Sequence, residues 1–319
     1  MRFALIGCGT IAAAHAKAIA ATPGADLVAA VDPAKTVRDK AGVAWRCAVF
    51  ADIATMLDAT PVDAACICAP PIHHRQLTVD LLDAGLDVLC EKPLALTVAD
   101  AETMAACAQD TGRVLMVSSK FRYVDDLMEA RRRIVDGEVG RPVLYEITFC
   151  ARIPAGGGWK MRPELAGGGV VMDNGSHVYD VLSMVQSPPW ESLAVVFGPR
   201  VVSPDVEDSA EIQFTADGML VRVALSWSYF TKDLDYLMVQ GTEGALGVGW
   251  PGGRTRRHGQ VEWTPFGTGY DKDTAFARQL EAFVIAVRSR QGRSDLAGAI
   301  GAVEFIDRVY RAEREHRRL

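Results

Sequence analysis

No run of the 319-residue chain stays apolar for the about 18 residues that a membrane span needs. Met1 leads straight into an apolar, strand-like run, without the charged region and cleavage site of a secretory signal. Basic charge is also in deficit: 34 Lys and Arg stand against 40 Asp and Glu, a net charge of -6 that argues against a nucleic-acid partner. The one basic concentration, Arg311, Arg314, Arg317 and Arg318, alternates with Glu313 and Glu315 and reads as the solvated face of a last helix. Cysteines are seven, an odd number scattered along the chain, which fits free thiols better than a disulfide framework. Cys66 and Cys68 sit one apart in an apolar run, which is strand periodicity and not ligand spacing, so no metal site is expected. Internal repeats and low-complexity segments are lacking as well. These absences leave a soluble, cytoplasmic, globular protein as the expectation.

The chain is longer than one typical core, so two domains are expected. Up to about residue 117, short apolar runs at 3–6, 27–31, 64–69, 87–90 and 114–117 alternate with helical patterns such as 11–21, 76–84 and 98–109. Near-continuous apolar strands separated by helices imply a parallel sheet covered on both faces. Gly85 and Gly112 mark helix ends, and Thr97 with Asp100 marks a helix start. After a helix near 125–135 the pattern changes to period-two strands at 142–149, 207–214, 220–227, 234–240 and 261–264, with a hairpin turn at Ala216-Asp217-Gly218. The expected fold class is therefore α/β, a doubly wound parallel sheet followed by a mostly antiparallel one, with domains at 1–119 and 120–319. Two closing helices at 274–290 and 296–314 flank a turn at 291–294.

Gly7-Cys8-Gly9-Thr10-Ile11-Ala12 follows the first strand and opens the first helix. In that context Gly7 permits the tight turn, Gly9 lets backbone approach a diphosphate, and Ala12 allows close helix packing, with the diphosphate on the helix N-terminus. Thr10 and Ile11 complete the loop. Asp32 ends the second strand, where a carboxylate accepts hydrogen bonds from adenosine ribose hydroxyls and repels a 2'-phosphate. NAD is thus favoured over NADP, although Lys35 and Arg38 could offset the repulsion; a plain turn carboxylate before Pro33 is the alternative. Pro70-Pro71-Ile72-His73-His74 and Glu91-Lys92-Pro93 leave two later strands at the carboxyl edge that presents ligands. Pro70, His74 and Glu91 are accordingly candidates for the nicotinamide half of the groove, with His74 preferred over His73 for the cleft. Lys92 could stabilise developing alkoxide charge or be an ordinary surface lysine.

The most informative stretch is Gly167-Gly168-Gly169-Val170-Val171-Met172-Asp173-Asn174-Gly175-Ser176-His177. If it begins a helix, Asp173 and His177 lie one turn apart on one face behind flexible glycines, an arrangement suited to proton transfer near neutral pH. A helix cap and a core histidine are the alternatives. Trp159, after Gly156-Gly157-Gly158, and Tyr123, Tyr229 and Tyr236 offer aromatic faces for a polyhydroxylated ring, with Arg152, Lys160 and Arg162 near Trp159.

Together, Gly7 to Ala12, Pro70 to His74, Glu91-Lys92-Pro93, Phe121-Arg122-Tyr123, Gly167 to His177 and Gly241-Thr242-Glu243-Gly244 resemble the glucose-fructose oxidoreductase, inositol dehydrogenase and rhizopine catabolism (Gfo/Idh/MocA) family along essentially the whole chain. The resemblance implies an N-terminal Rossmann domain and a C-terminal α/β domain whose open sheet lies over the nicotinamide and often forms the subunit interface of a dimer or tetramer. It implies Lys92, Asp173 and His177 as catalytic residues and a cis bond before Pro93. The implied activity is hydride transfer between a secondary alcohol of a sugar, cyclitol or sugar derivative and NAD(P), with Lys92, Asp173 and His177 at the substrate; Tyr123 and Trp159 join them as candidates from the residue reading above. A redox-neutral, NAD-dependent glycosidase would use many of the same residues. A non-catalytic dinucleotide sensor would not need all three of Lys92, Asp173 and His177.

Overall fold

The computed structural model of this chain describes residues 1–154, 156, 158–231, 234–290 and 296–316. The expected turn at 291–294, Gly157 of the glycine run, and Arg317 and Arg318 of the basic tail lie outside them. The chain divides into two compact units, Met1–Lys120 with Lys272–Val303, and Phe121–Asp271 with Glu304–Leu319.

In the first unit, β1 (Arg2–Ile6), α1 (Ala12–Ala21), β2 (Asp26–Val31), α2 (Lys35–Trp45), β3 (Ala48–Phe50), α3 (Ile53–Ala59), β4 (Ala64–Ile67), α4 (His74–Asp83), β5 (Asp87–Cys90), α5 (Val98–Thr111) and β6 (Leu115–Val117) alternate along the chain. The six strands are parallel in the order β3-β2-β1-β4-β5-β6, the doubly wound arrangement in which the order reverses between β1 and β4. Because both faces are covered, β4 and β5 are buried at every position, including Cys66 and Cys90. Helix boundaries follow local chemistry: the Thr97 hydroxyl accepts the Asp100 N–H at 3.1 Å to start α5, and Gly112 ends it in the left-handed region. The sequence pattern showed neither α2, α3 nor β3, the last of which has three residues and is too short for periodicity to register.

The second unit holds α6 (Asp125–Val135), β7 (Pro142–Cys150), α7 (Pro163–Ala166), α8 (Val170–Val185), β8 (Trp190–Phe197), β9 (Ser209–Ala216), β10 (Met219–Ser226), β11 (Asp235–Gly241), β12 (Gly244–Gly249), β13 (Gly253–Arg257) and β14 (Thr264–Phe266). Its sheet runs β14-β13-β12-β11-β7-β10-β9-β8, antiparallel except for the β7–β10 pair. The predicted hairpin joins β9 to β10 with Asp217 and Gly218 both at positive φ, 51° and 76°, as a two-residue turn of matching twist demands. Tyr145, Ile147 and Phe149 of β7 and Ile212 and Phe214 of β9 alternate onto the inner face, against which α8 packs. Strands β8, β12 and β13 were not foreseen. β12 reads Gly-Ala-Leu-Gly-Val-Gly and β13 is mostly charged, so neither carries the branched, alternating signature.

The closing helices, α9 (Lys272–Ser289) and α10 (Leu296–His316), revise the expected division at residues 119 and 120. α9 packs on α1 in the first unit, where Phe276, Leu280, Phe283 and Val284 join Phe3, Leu5 and Ile19 in one apolar cluster. The start of α10 adds Ala299 and Val303 to the cluster on the opposite face of the same sheet. Amphipathic periodicity says that a helix has an apolar face, but not which sheet that face will cover.

Candidate active site

The dinucleotide loop departs from the carboxyl end of β1. Gly7 has φ +91°, and a Cβ there would lie 2.8 Å from the backbone N of Ala69, so the residue is fixed by the close passage of the segment after β4. At Gly9 a Cβ would meet nothing within 4 Å, which leaves that backbone open to a ligand. Ala12 is wholly buried. α1 begins with no side-chain cap and no acid in its first turn, so its positive end and early N–H groups suit an external anion. These features fit the diphosphate of a dinucleotide. Asp32 closes β2 with Oδ2 accepting from Cys8 N at 3.0 Å and Oδ1 from Ala34 N at 2.9 Å, each oxygen retaining a lone pair. Lys35 is drawn to Asp39 at 2.6 Å, while Arg38 donates to the carbonyls of Asp32 and Pro33.

At the carboxyl end of β5 the Lys92-Pro93 peptide is cis. Glu91, expected at the cofactor, is instead buried: Oε1 accepts from His15 Nε2 and Ser118 Oγ, both at 2.8 Å, and Oε2 accepts the Lys92 N–H at 3.2 Å. Burial pushes this carboxyl up, but attraction and hydrogen bonding from His15, the Lys92 ammonium and the Ser118 hydroxyl outweigh it and hold the pKa at about 2. His74, preferred for the cleft, is also corrected. Its ring is wholly buried, with Nδ1 2.8 Å from Pro93 O and Nε2 2.9 Å from Ala69 O, so it links the Pro70 loop to the Lys92 turn. Burial lowers its pKa. His74 opens α4, and it is His73, its neighbour, that is exposed. Pro70 precedes the short turn that leads into α4.

In the second unit, α8 places Asp173 in its first turn and His177 one turn later. His177 is buried against aromatic edges, its ring 4.9 Å from Phe121 and 5.9 Å from Phe149. Arg122 pairs with Asp180, one turn further along α8, at 3.0 Å, and burial raises the pKa of the adjoining Tyr123. Asp173 is gripped by Lys160, whose Nζ lies 2.9 and 2.8 Å from its two oxygens. Trp159, next to Lys160 in a short 3-10 turn, keeps about a third of its surface exposed (36%) and lines a cavity of about 470 Å³ with Met161, Arg162 and residues 202–205. Of the other tyrosines, Tyr236 is buried, its ring stacked on Phe149 at 6.0 Å, whereas Tyr229 is exposed with its hydroxyl on Glu211.

The glycines before α8 prove to be places of close approach. A Cβ on Gly168 would collide with the Tyr310 hydroxyl, and one on Gly169 with the Glu207 carbonyl. The Glu207 carboxylate accepts the N–H groups of Gly169 at 2.9 Å and Val171 at 3.1 Å and the Tyr310 hydroxyl at 2.6 Å, capping α8 from a distant segment. Burial raises the pKa of this carboxyl.

Two family profiles cover most of the chain: the oxidoreductase family with NAD-binding Rossmann fold matches residues 1–119, and the GFO/IDH/MocA C-terminal domain matches residues 127–247. The chain belongs to the Gfo/Idh/MocA family. Among its curated relatives, 1,5-anhydro-D-fructose reductase of Ensifer adhaerens is 31% identical over 189 residues, 58% of this chain and 56% of that protein. D-apiose dehydrogenase of Paraburkholderia graminis is 33% identical over 253 residues, 76% of this chain and 66% of that protein. The chain thus spans between about half and two thirds of the length of these relatives. Levoglucosan dehydrogenase, solved in complex with NADH and levoglucosan, shares the fold with a TM-score of 0.88 at 18% identity, over 99% of this chain and 97% of that one. For this Gfo/Idh/MocA protein, sequence reasoning missed His15 and Ser118 beneath Lys92, the grip of Lys160 on Asp173, and Glu207 and Tyr310 behind α8. Lys160 lies 13 residues before Asp173 and Glu207 38 after Gly169, separations to which no local period corresponds.

Proposed function

We propose that this protein is an NAD-dependent dehydrogenase that oxidises a secondary alcohol of a sugar, cyclitol or sugar derivative. The observation that carries the reading is the carboxyl edge of the first sheet, where an acid-free, uncapped α1 and Asp32 suit a dinucleotide, and Lys92 leaves β5, two positions along from β1. Bound NAD supplies a hydride acceptor at its nicotinamide ring. The N–H groups at the start of α1 bind the diphosphate, and Asp32 accepts from the ribose hydroxyls while repelling a 2'-phosphate. Lys35 is already paired with Asp39, which favours NAD over NADP.

His177 is the group assigned to take the proton of the reacting hydroxyl, and Lys92 supplies an ammonium charge suited to stabilising a developing alkoxide. Asp173, charge-balanced by Lys160, accepts from a neighbouring hydroxyl of the substrate, while Trp159 and Tyr123 contact the ring. The relatives' names support this substrate class: a reductase of an anhydro sugar and a dehydrogenase of a branched sugar. The setting is cytoplasmic, a compartment with which the seven free thiols are in keeping. The assembly is a homodimer or homotetramer, for which the outer face of the eight-stranded sheet, with Val196 and Leu220 exposed beside the Arg222–Glu146 pair, offers the surface. A monomer by light scattering would contradict that last point.

A panel of sugars and inositols, followed by NADH absorbance, tests the activity. His177→Ala and Lys92→Ala should each lower turnover by about a hundredfold or more while NADH still binds. Wild-type turnover in either variant overturns the assignment, and net NADH formation separates a dehydrogenase from a redox-neutral cycle.

A further inference from the structure

Beneath Lys92 lies a set of buried polar groups that the proposed chemistry does not use. His15, on the helix that suits the diphosphate, is 1% exposed, and Glu91 is 7% exposed. Because an ionised carboxylate only accepts, His15 Nε2 must carry the proton in their 2.8 Å contact. Ser118, after β6, donates to the same oxygen and accepts from Gln279 of α9 at 2.9 Å, while Phe276 of α9 sets its ring across the imidazole at 5.0 Å and 81°. His15 and Ser118, each braced by α9, thus fix one carboxylate, whose other oxygen accepts the Lys92 N–H. On the far side of the turn, His74 approaches the Pro93 carbonyl.

Stability alone does not explain such a pair. Replacing a buried hydrogen-bonded pair by apolar groups of the same shape can be nearly neutral or stabilising, because desolvation offsets the gain. The pair ends, moreover, on the backbone of the lysine whose placement the chemistry demands. Resting on the reading of Lys92 as the alkoxide-stabilising group, we propose that His15, acting through Glu91, is a positioning residue for Lys92. It ties α1 to the Lys92 turn, so that the helix that carries the dinucleotide also sets where the ammonium stands. Small displacements of a reacting group are costly even when their source is remote from the chemistry.

The test uses the full-length chain with His15→Phe, His15→Gln and Glu91→Gln. Three quantities are read: the rate at which trinitrobenzenesulfonate labels Lys92, by peptide mass spectrometry without cofactor; NADH affinity, by fluorescence titration; and kcat and KM for NADH formation. In His15→Phe and Glu91→Gln, labelling of Lys92 should become severalfold faster and kcat should fall by about a hundredfold, with NADH affinity and KM retained. His15→Gln, whose amide also donates, should restore most of both. Unchanged labelling in His15→Phe and Glu91→Gln overturns the proposal, as does a His15→Gln variant as impaired as His15→Phe, or a loss of kcat matched by a loss of NADH affinity. Should His15→Phe not fold, Ser118→Ala removes a donor from the same oxygen and carries the same readouts. If the wild-type chain forms no NADH from any alcohol, the proposed activity fails, while the labelling of Lys92 still decides its positioning.

Discussion

Gly7 and Gly9 stand two residues apart in one motif and answer to different demands. Gly7 combines φ +91° with backbone 2.8 Å from where a Cβ would sit, so Gly7→Ala should cost about 1–3 kcal/mol in denaturant unfolding. Gly9 faces open space, so Gly9→Ala should leave the unfolding midpoint in place and weaken NADH binding, measured by fluorescence. Equal effects of the two substitutions on stability would contradict this division. Asp32→Ser should raise the use of NADP relative to NAD, read as the ratio of kcat/KM values, because it removes the charge a 2'-phosphate would meet. An unchanged ratio would show that Asp32 does not select. These residues stand out in the sequence as candidates because strand, glycine turn and helix follow one another without interruption. The roles of Glu91 and His74 were not legible, since a polar residue at a strand end reads the same whether it faces a ligand or a buried imidazole 76 positions away.

Among the elements, α8 and α9 show how far periodicity reaches. The spacing of Asp173 and His177 announced one helical face, and α8 carries both. The preceding glycines read as flexibility, yet they admit Glu207 and Tyr310 to the helix start; Gly169→Ala should therefore destabilise the chain by about 1–3 kcal/mol, seen as a lower urea midpoint. α9 lies beyond residue 270 in the chain and yet completes one face of the first sheet with Phe276, Leu280 and Phe283. Phe283→Ala should cost about 3–5 kcal/mol. Residues 1–119 expressed alone, the expected N-terminal domain, should bind a hydrophobic dye and show poor protection from hydrogen exchange, because Phe3, Leu5 and Ile19 would lose their cover. A well-protected 1–119 fragment would refute that role of α9.

For the whole molecule, acid stability is the readout that the buried Glu91 governs. Its folded pKa of about 2 lies below the ordinary 4.5, so the carboxylate stabilises the fold fully above about 4.5 and loses that contribution as the pH falls toward 2. The urea midpoint of Glu91→Gln should accordingly decline less steeply than that of the wild type across this window; parallel curves would count against the assignment. At the same scale, the sequence by itself determined the two classes of sheet, the succession of strand, glycine turn and helix from β1 to α1, and the helix bearing Asp173 and His177. Each is written in contiguous residues whose spacing matches a backbone period or a turn. Tertiary structure alone decided that α9 serves the first sheet, that Lys160 grips Asp173, that Glu207 caps α8 and that His15 stands under Lys92. Those pairings join residues 13, 38 and 76 positions apart and, for α9, the two ends of the chain, and apolar or polar character names no partner until folding brings the chain together.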